Sequence, residues 1–276
     1  MMNISNTKKR FKKVYIEITN VCNLSCPFCA KCGREARFMT EDEFVRAAEQ
    51  TKTVSDYVYF HLLGEPTLHP LMRRFLDICT DIGLKVNLTT NGTLPDNIPA
   101  EHSALRKVSI SLHAAEANSL DVKGYAVGVK SLVEKLAENG KITELKFWNG
   151  TYDKNIREDS YTGRLMALLS PLPESVHIGC GETFVWPADS KEDFNPIFCM
   201  GLRDQCAVLS DGTVVPCCLD SEGEIALGNV FCTSLADILS SPRAKALYDG
   251  FSAGKATESL CRRCSFYQNR KTKFSR

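Results

Sequence analysis

Neither sign of charge dominates this sequence: 34 Lys and Arg stand against 33 Asp and Glu, a net charge of +1. No global field therefore points to nucleic acid. No run of about 18 apolar residues occurs, so no membrane span is expected. The basic N-terminus MMNISNTKKRFKK is followed by no apolar stretch, which excludes a secretory signal of the usual design. Internal repeats and low-complexity tracts are missing as well, which excludes a repeat architecture. What the chain does have is cysteine, 13 in 276 residues. A cytoplasmic chain rarely uses cysteine for disulfides, so a cytoplasmic location and metal binding are expected together. Hydrophobic residues make up 43%, enough for a core, and the length suits one large α/β domain with a small appendage or two modest domains.

The order of elements reads as alternating strands and helices. VYIEIT (14–19), YVYFHLL (57–63), LKVNLTT (84–90), KVSISLH (107–113), TELKFWN (143–149) and ESVHIG (174–179) are β-rich. Helices are predicted near 41–51, opened by a Thr40-x-x-Glu43 capping box, and near 70–82, 127–138 and 161–169. The alternation predicts parallel βαβ units, either a doubly wound sheet or an incomplete barrel. In both, chemistry belongs at the C-terminal strand ends. Glu65, Asn91, His113, Asn149 and Cys180 lie at such ends, and the first cysteine loop follows the first strand. From about 185 the rhythm changes. FVWPADSKEDFNP reads as a linker, CAVLSDGTVVPCC as a hairpin turning at Asp211-Gly212, and a helix is predicted near 234–248 before LCRRC.

CNLSCPFC places Cys22, Cys26 and Cys29 at C-x3-C-x2-C spacing, with Cys32 three residues on. Thiolates are soft ligands that suit iron–sulfur clusters or zinc. With Cys32 the set could close a four-cysteine site, part of which has the spacing of a ferredoxin run. An electron carrier, however, needs no six strand–helix repeats and no pocket at their ends. Three cysteines leave one iron of a four-iron cluster open to another ligand.

With these residues the sequence resembles the radical SAM superfamily over roughly residues 11–180. C-x3-C-x-Phe-C follows the first strand. Leu63-Gly64-Glu65-Pro66 is similar to the family's GGEP turn, departing at Leu63, Thr90-Asn91-Gly92 to its TNG turn, and SISLH to its fourth-strand segment. The resemblance implies a partial (β/α)6 TIM-like barrel of parallel strands over residues 1–185. It implies a [4Fe–4S] cluster on Cys22, Cys26 and Cys29 with S-adenosylmethionine (SAM) as the fourth ligand, and Cys32 as a neighbouring thiol. Gly64, Glu65 and Pro66 would hold the methionine amino group, Phe28 would border the adenine, and Asn91, Ser109 and Ser111 would reach the cofactor. Ser109 and Ser111 lie two apart and so share a face. His61 and His69 read as structural; His113 is balanced between structure and site.

Cys199, Gly212, Cys217 and Cys261-x2-Cys264 resemble the SPASM/twitch extension of the same enzymes, placed at residues 186–276 as a small α+β domain. No cysteine follows Cys264, so the expectation is the shorter twitch form, one auxiliary [4Fe–4S] cluster on Cys199, Cys217, Cys261 and Cys264. Zinc is the rival metal there. Cys206 and Cys218 are alternative ligands, while Cys79 and Cys232 read as small apolar residues. The resemblance implies an external reductant such as flavodoxin or ferredoxin, and hydrogen abstraction from a small molecule or a peptide ending in a two-electron oxidation. About 13 residues precede the first strand, which disfavours a self-sufficient peptide maturase. A radical epimerase using Cys180 as hydrogen donor and a non-enzymatic iron–sulfur or zinc protein stand as alternatives. The tail RRCSFYQNRKTKFSR is basic, with Phe266, Tyr267 and Phe274 interleaved, but reads as solvated, and neither nucleic acid nor a membrane is an expected partner.

Overall fold

The computed structural model describes residues 11–30, 32–150, 152, 156–181 and 184–266. Strands β1 (Lys13–Ile16), β2 (Tyr57–Phe60), β3 (Lys85–Thr90), β4 (Leu105–Ser111), β5 (Ile142–Phe147) and β6 (Val176–Cys180) are joined through helices α1 (Glu41–Val54), α2 (Met72–Asp81), α3 (His113–Ala117), α4 (Val122–Glu138) and α5 (Tyr161–Leu169). Between β3 and β4 the connection holds only a 3-10 turn, Pro95–Asn97. β7 (Gln205–Val208), β8 (Thr213–Val215), β9 (Gly228–Asn229), α6 (Leu235–Leu239), α7 (Pro242–Ser252) and α8 (Ser259–Arg262) complete the described chain.

The strands form one open sheet in the order β6-β5-β4-β3-β2-β1-β7-β8-β9. The first six are parallel neighbours in sequence order, the order of a barrel wall; a doubly wound sheet would reverse its order after the first strands. β7 joins the far side of β1, again in parallel, with Tyr15 opposite Ala207, and β8 and β9 follow antiparallel. The C-terminal hairpin thus extends the same sheet. Helix boundaries follow local chemistry. Thr40 and Glu43 form the predicted capping box. α4 starts five residues earlier than its predicted start because Asp121 caps it through Gly124 N at 2.6 Å. The single predicted helix at 234–248 is two, because Ser241 caps a new start and Pro242 takes its first turn.

Alternate strand residues face opposite sides. Val14, Ile16, Val58, Phe60, Val108 and Ile110 are wholly buried under the helices, where Phe44 of α1 stacks on Phe75 of α2 at 4.1 Å. The other face carries Lys13, Tyr15, Tyr59, Lys107, Ser109, Ser111, Glu144 and Lys146, and these line a cavity of about 670 Å³. The predicted linker is docked: Trp186 Nε1 donates to the Phe28 carbonyl at 2.9 Å, and Phe194 N and Asn195 N donate to Arg262 O at 2.8 and 3.0 Å. Of the basic tail, Arg262 lies 3.9 Å from Asp193 and Arg263 donates to Pro187 O and to Glu224; Tyr267 and all beyond, Phe274 included, lie outside the described residues. Among the described residues no helix is long and apolar enough to cross a membrane.

Candidate functional site

Both cysteine groups open onto that one cavity. Cys22, Cys26 and Cys29 line one part of it, and Cys199, Cys217, Cys218, Cys261 and Cys264 another. Cys32 is not among the lining residues; it packs in a small cluster with Leu62, Leu63 and Ala207, and Asn20 Nδ2 donates to its sulfur at 3.8 Å. Cys206 faces the buried helix side of β7, Cys79 is buried in α2, and Cys232 is exposed, so Cys232 does not pack as a core residue. Among the described residues no three His, Cys, Asp or Glu side chains converge closely enough to hold a single metal ion; the thiols instead line the cavity wall.

The first cysteine loop is held at its base by backbone. Gly64 has φ +74°, and a Cβ there would stand 2.4 Å from Thr19 O, so only glycine permits the close approach. Glu65 N then donates to Val21 O at 2.8 Å. The buried Glu65 carboxylate accepts from Thr67 N, Thr67 Oγ1, Thr90 Oγ1 and Asn91 N at 2.6–3.1 Å, tying the ends of β2 and β3 together. Pro66 begins a 3-10 turn and does not line the cavity. Asn91 Nδ2 donates to Asn23 at 2.9 Å and approaches Cys22 Sγ at 3.9 Å. Phe28 packs on His113 at 4.9 Å between ring centres. His113 begins α3, contacts Lys146 O through Nδ1, and burial lowers its pKa.

Ser109 and Ser111 do share the inner face. The Ser109 hydroxyl donates to Glu144 at 2.8 Å and is committed there. Asn149 and Cys180 do not reach the cavity; Cys180 is exposed on the edge strand β6. The sheet therefore gathers Glu65, Asn91 and His113 of the strand-end residues and leaves these two outside. His61, read as structural, lines the cavity, and His69 is buried, contacting Met39 O at 3.0 Å.

Sequence reasoning missed two kinds of residue. One is the amide side chains that serve the sulfurs. Asn118 Nδ2 donates to Cys26 Sγ at 3.1 Å while its Oδ1 accepts from Ser25 N at 3.0 Å. The other is the charged inner face of β1, β4 and β5, whose signal was the alternation of Lys107, Ser109 and Ser111 and of Glu144 and Lys146 with apolar residues.

Burial raises each thiol that lines the cavity. Cys29 reaches about 11, by burial first and then by Cys26 and Cys22. Cys199 also reaches about 11, by burial, with Cys264 adding to it against a backbone N–H from Gly201. Cys217 is raised well above its ordinary value by burial, then by Cys199, Cys218 and Cys261. Groups that perturb one another this way are near neighbours, and crowded thiols release their protons when a cationic centre binds. Backbone and amide N–H groups aimed at sulfur, Leu24 to Cys22, Asn118 to Cys26 and Gly201 to Cys199, are what a thiolate-held iron–sulfur cluster uses. The donor set fits such clusters.

Comparison with known proteins agrees with this donor chemistry. The model of the Radical SAM superfamily matches residues 16–152, and that of an iron–sulfur cluster-binding domain, SPASM, matches residues 199–265. A tungsten-containing aldehyde ferredoxin oxidoreductase cofactor-modifying protein from Pyrococcus furiosus is 36% identical over 90 residues, 30% of this chain and 24% of that protein. The chain thus spans about a quarter of that relative. The fold is similar to that of BtrN solved with AdoMet and 2-DOIA (TM-score 0.59, 18% identity, 92% of this chain and 93% of that one). It is also similar to SuiB from Streptococcus suis bound to S-adenosylmethionine (TM-score 0.60, 15% identity, 94% and 70%).

Proposed function

We propose that this chain, which belongs to the radical SAM superfamily and carries a SPASM-type iron–sulfur cluster-binding domain, abstracts hydrogen from a substrate held in the shared cavity and leaves it oxidised by two electrons. The observation carrying this reading is the single cavity onto which both cysteine groups open. When bound, a SAM-ligated [4Fe–4S] cluster and one auxiliary cluster supply a hydrogen-abstracting 5′-deoxyadenosyl radical and a one-electron acceptor.

The residues take the following parts. Cys22, Cys26 and Cys29 hold the first cluster by three thiolates, and Asn118 and Asn91 orient the sulfurs. Gly64 and Glu65 frame the methionine end, with Pro66 setting the turn behind them. Phe28, backed by His113, borders the adenine. Asn91 and Ser111 face the cofactor, while Ser109 holds Glu144 in place. Cys199, Cys217, Cys261 and Cys264 hold the auxiliary cluster, with Cys218 as a neighbouring thiol. Phe184, Trp186, Phe198 and Phe251 line the cavity and exclude water from it. We divide the chain into a core, residues 1–185, and an auxiliary domain, residues 186–276. A flavodoxin or ferredoxin delivers the reducing electron. The substrate is a small molecule or a peptide; solved proteins of this fold carry 2-DOIA in one case and the precursor peptide SuiA in another. Thirteen free thiols suit a cytoplasmic setting.

The test is anaerobic reconstitution followed by iron analysis and SAM turnover. About eight irons per chain, from two four-iron clusters, and 5′-deoxyadenosine formed from SAM with reductant are expected. A reconstituted protein that never cleaves SAM overturns the reading; about four irons with one zinc removes the auxiliary cluster from it.

A further inference from the structure

The inner wall of the cavity carries more cations than its carboxylates pair. Lys13 of β1, Lys107 of β4 and Lys146 of β5 all line it. Glu144 lies 2.8 Å from Lys107 and 3.8 Å from Lys146, and also accepts from Ser109. Asp204 lines the cavity too, yet it pairs with none of the three lysines, and Lys13 has no carboxylate partner among the described residues. Glu65 is committed to β2 and β3, as described above.

These ammonium groups are not stretched into bulk water. The Lys146 side chain is 19% exposed and its Nζ sits 5.9 Å from the centre of the Trp148 ring. Burial lowers its pKa; Glu144 opposes that, Lys107 reinforces it, Cys218 opposes it and Lys13 reinforces it. Beside them, His61 makes no hydrogen bond among the described residues and rests against Tyr15 at 6.0 Å. Burial, then Lys146 and Lys13, push its pKa down to about 3, so it is a neutral ring with an N–H to offer. Enclosed like charges cost free energy unless an anion compensates them.

We infer that the substrate carries an oxyanion, a carboxylate or a phosphate, which seats on Lys146 and Lys13 with His61 and Tyr59 as neighbouring donors. This names the substrate class for the function proposed above and rests on that reading of the cavity. The oxyanion lies on the auxiliary side, near Cys218, which both lysines affect electrostatically. The rest of the substrate then extends toward Cys22, Cys26 and Cys29.

The chain's two tryptophans, Trp148 and Trp186, both line this cavity, so their emission reports on it. Reconstituted full-length protein is titrated with inorganic phosphate and, separately, with acetate, each against chloride at matched ionic strength. A saturable response is expected from at least one, weakened about tenfold or more in Lys146→Met and in Lys13→Met, retained in Lys146→Arg, and unchanged in Lys135→Met on the outer face of α4. Tighter phosphate identifies a phosphorylated substrate and tighter acetate a carboxylate. No saturable response in the wild type, or one that both Lys146→Met and Lys13→Met leave intact, overturns the inference; two separate lysine variants keep the test decisive if one fails to fold. SAM cleavage is measured on the same wild-type sample. Its absence sinks the proposed function, whereas SAM cleavage without anion binding sinks only the oxyanion seat.

Discussion

The two cysteine regions differ in how they are assembled. The first lies in one loop, Cys22 to Cys29, where Cys22 and Cys29 are exposed residues whose thiols turn into the cavity, and it borrows support from distant amides such as Asn91 and Asn118. The second is gathered from segments around 199, 217 and 261–264, and its thiols are more enclosed. A local loop that leaves one coordination position free suits an exchangeable ligand. Under the proposed assignment, four thiols from separate segments close the second site, which suits a permanent ligand and forms only when the C-terminal part has folded. Breaking each region should therefore have different consequences.

The largest expected effect is at the first loop. Cys29→Ala should reduce 5′-deoxyadenosine formation to background, whereas Cys32→Ala should stay within about twofold of wild type, as for a residue away from the reacting groups. Equal loss from both would mean that the loop is a four-cysteine site. Cys217→Ala should separate the two regions differently. Iron should fall from about eight to about four per chain, with SAM still cleaved but no oxidised product released. Cys218→Ala should keep about eight; if it loses four as well, Cys218 is a ligand.

The regions are also joined mechanically. The Arg34 guanidinium, just past the first loop, pairs with the fully buried Glu17 carboxylate at 2.7 Å and donates to Ser221 O at 2.8 Å, while Gly33 N donates to Glu222. Glu17 in turn accepts from Ser210 N at 3.2 Å and Leu63 N at 3.3 Å. Removing one partner of a buried pair leaves the other uncompensated, so Arg34→Met should cost about 3–5 kcal/mol. Urea denaturation followed by both circular dichroism and cluster absorbance would show whether the two regions then melt separately; coincident, unshifted transitions would show that the pair links nothing.

The difference between the regions also governs what could be read without a structure. The six parallel strands were legible as local β-rich runs, but their order was not. The alternation left a doubly wound sheet and an incomplete barrel open, and only the resemblance to the radical SAM superfamily chose the barrel. The first loop was legible because its spacing lies within a few residues. The pairing of β7 with β1 was not, since nothing near Lys13 announces a partner near Gln205. Which strand face lines the cavity was signalled only by the alternation of charged and apolar residues. β-branched content marks a strand, but the placing of Lys107, Glu144 and Lys146 inside the barrel wall depends on register against neighbours far along the chain. Glu65 was legible by position, yet its four hydrogen bonds to Thr67, Thr90 and Asn91 appear only once β2 and β3 lie side by side.

The smallest effect expected is the most specific to the first region. Asn118 performs two tasks toward the first loop, donating to Cys26 Sγ and accepting from Ser25 N, and its Nδ2 also donates to Ala114 O at 2.8 Å within its own helix end. Asn118→Leu removes both. The loop should lose about 1 kcal/mol of anchoring, and the cluster should lose a donor that stabilises its more negative, reduced form. Its midpoint potential should then shift to more negative values, on the order of tens of millivolts, with SAM cleavage slowed at a fixed reductant potential. Asn118→Asp keeps the acceptor for Ser25 and replaces the donor by a negative charge, so the loop should stay anchored while the potential falls further. Potentiometric titration followed by electron paramagnetic resonance distinguishes the two tasks. A potential unchanged in both variants would mean that Asn118 only shapes the loop, and that in this region the sulfurs are tuned by backbone N–H groups, such as Leu24 N at Cys22, as Gly201 N serves Cys199 in the other.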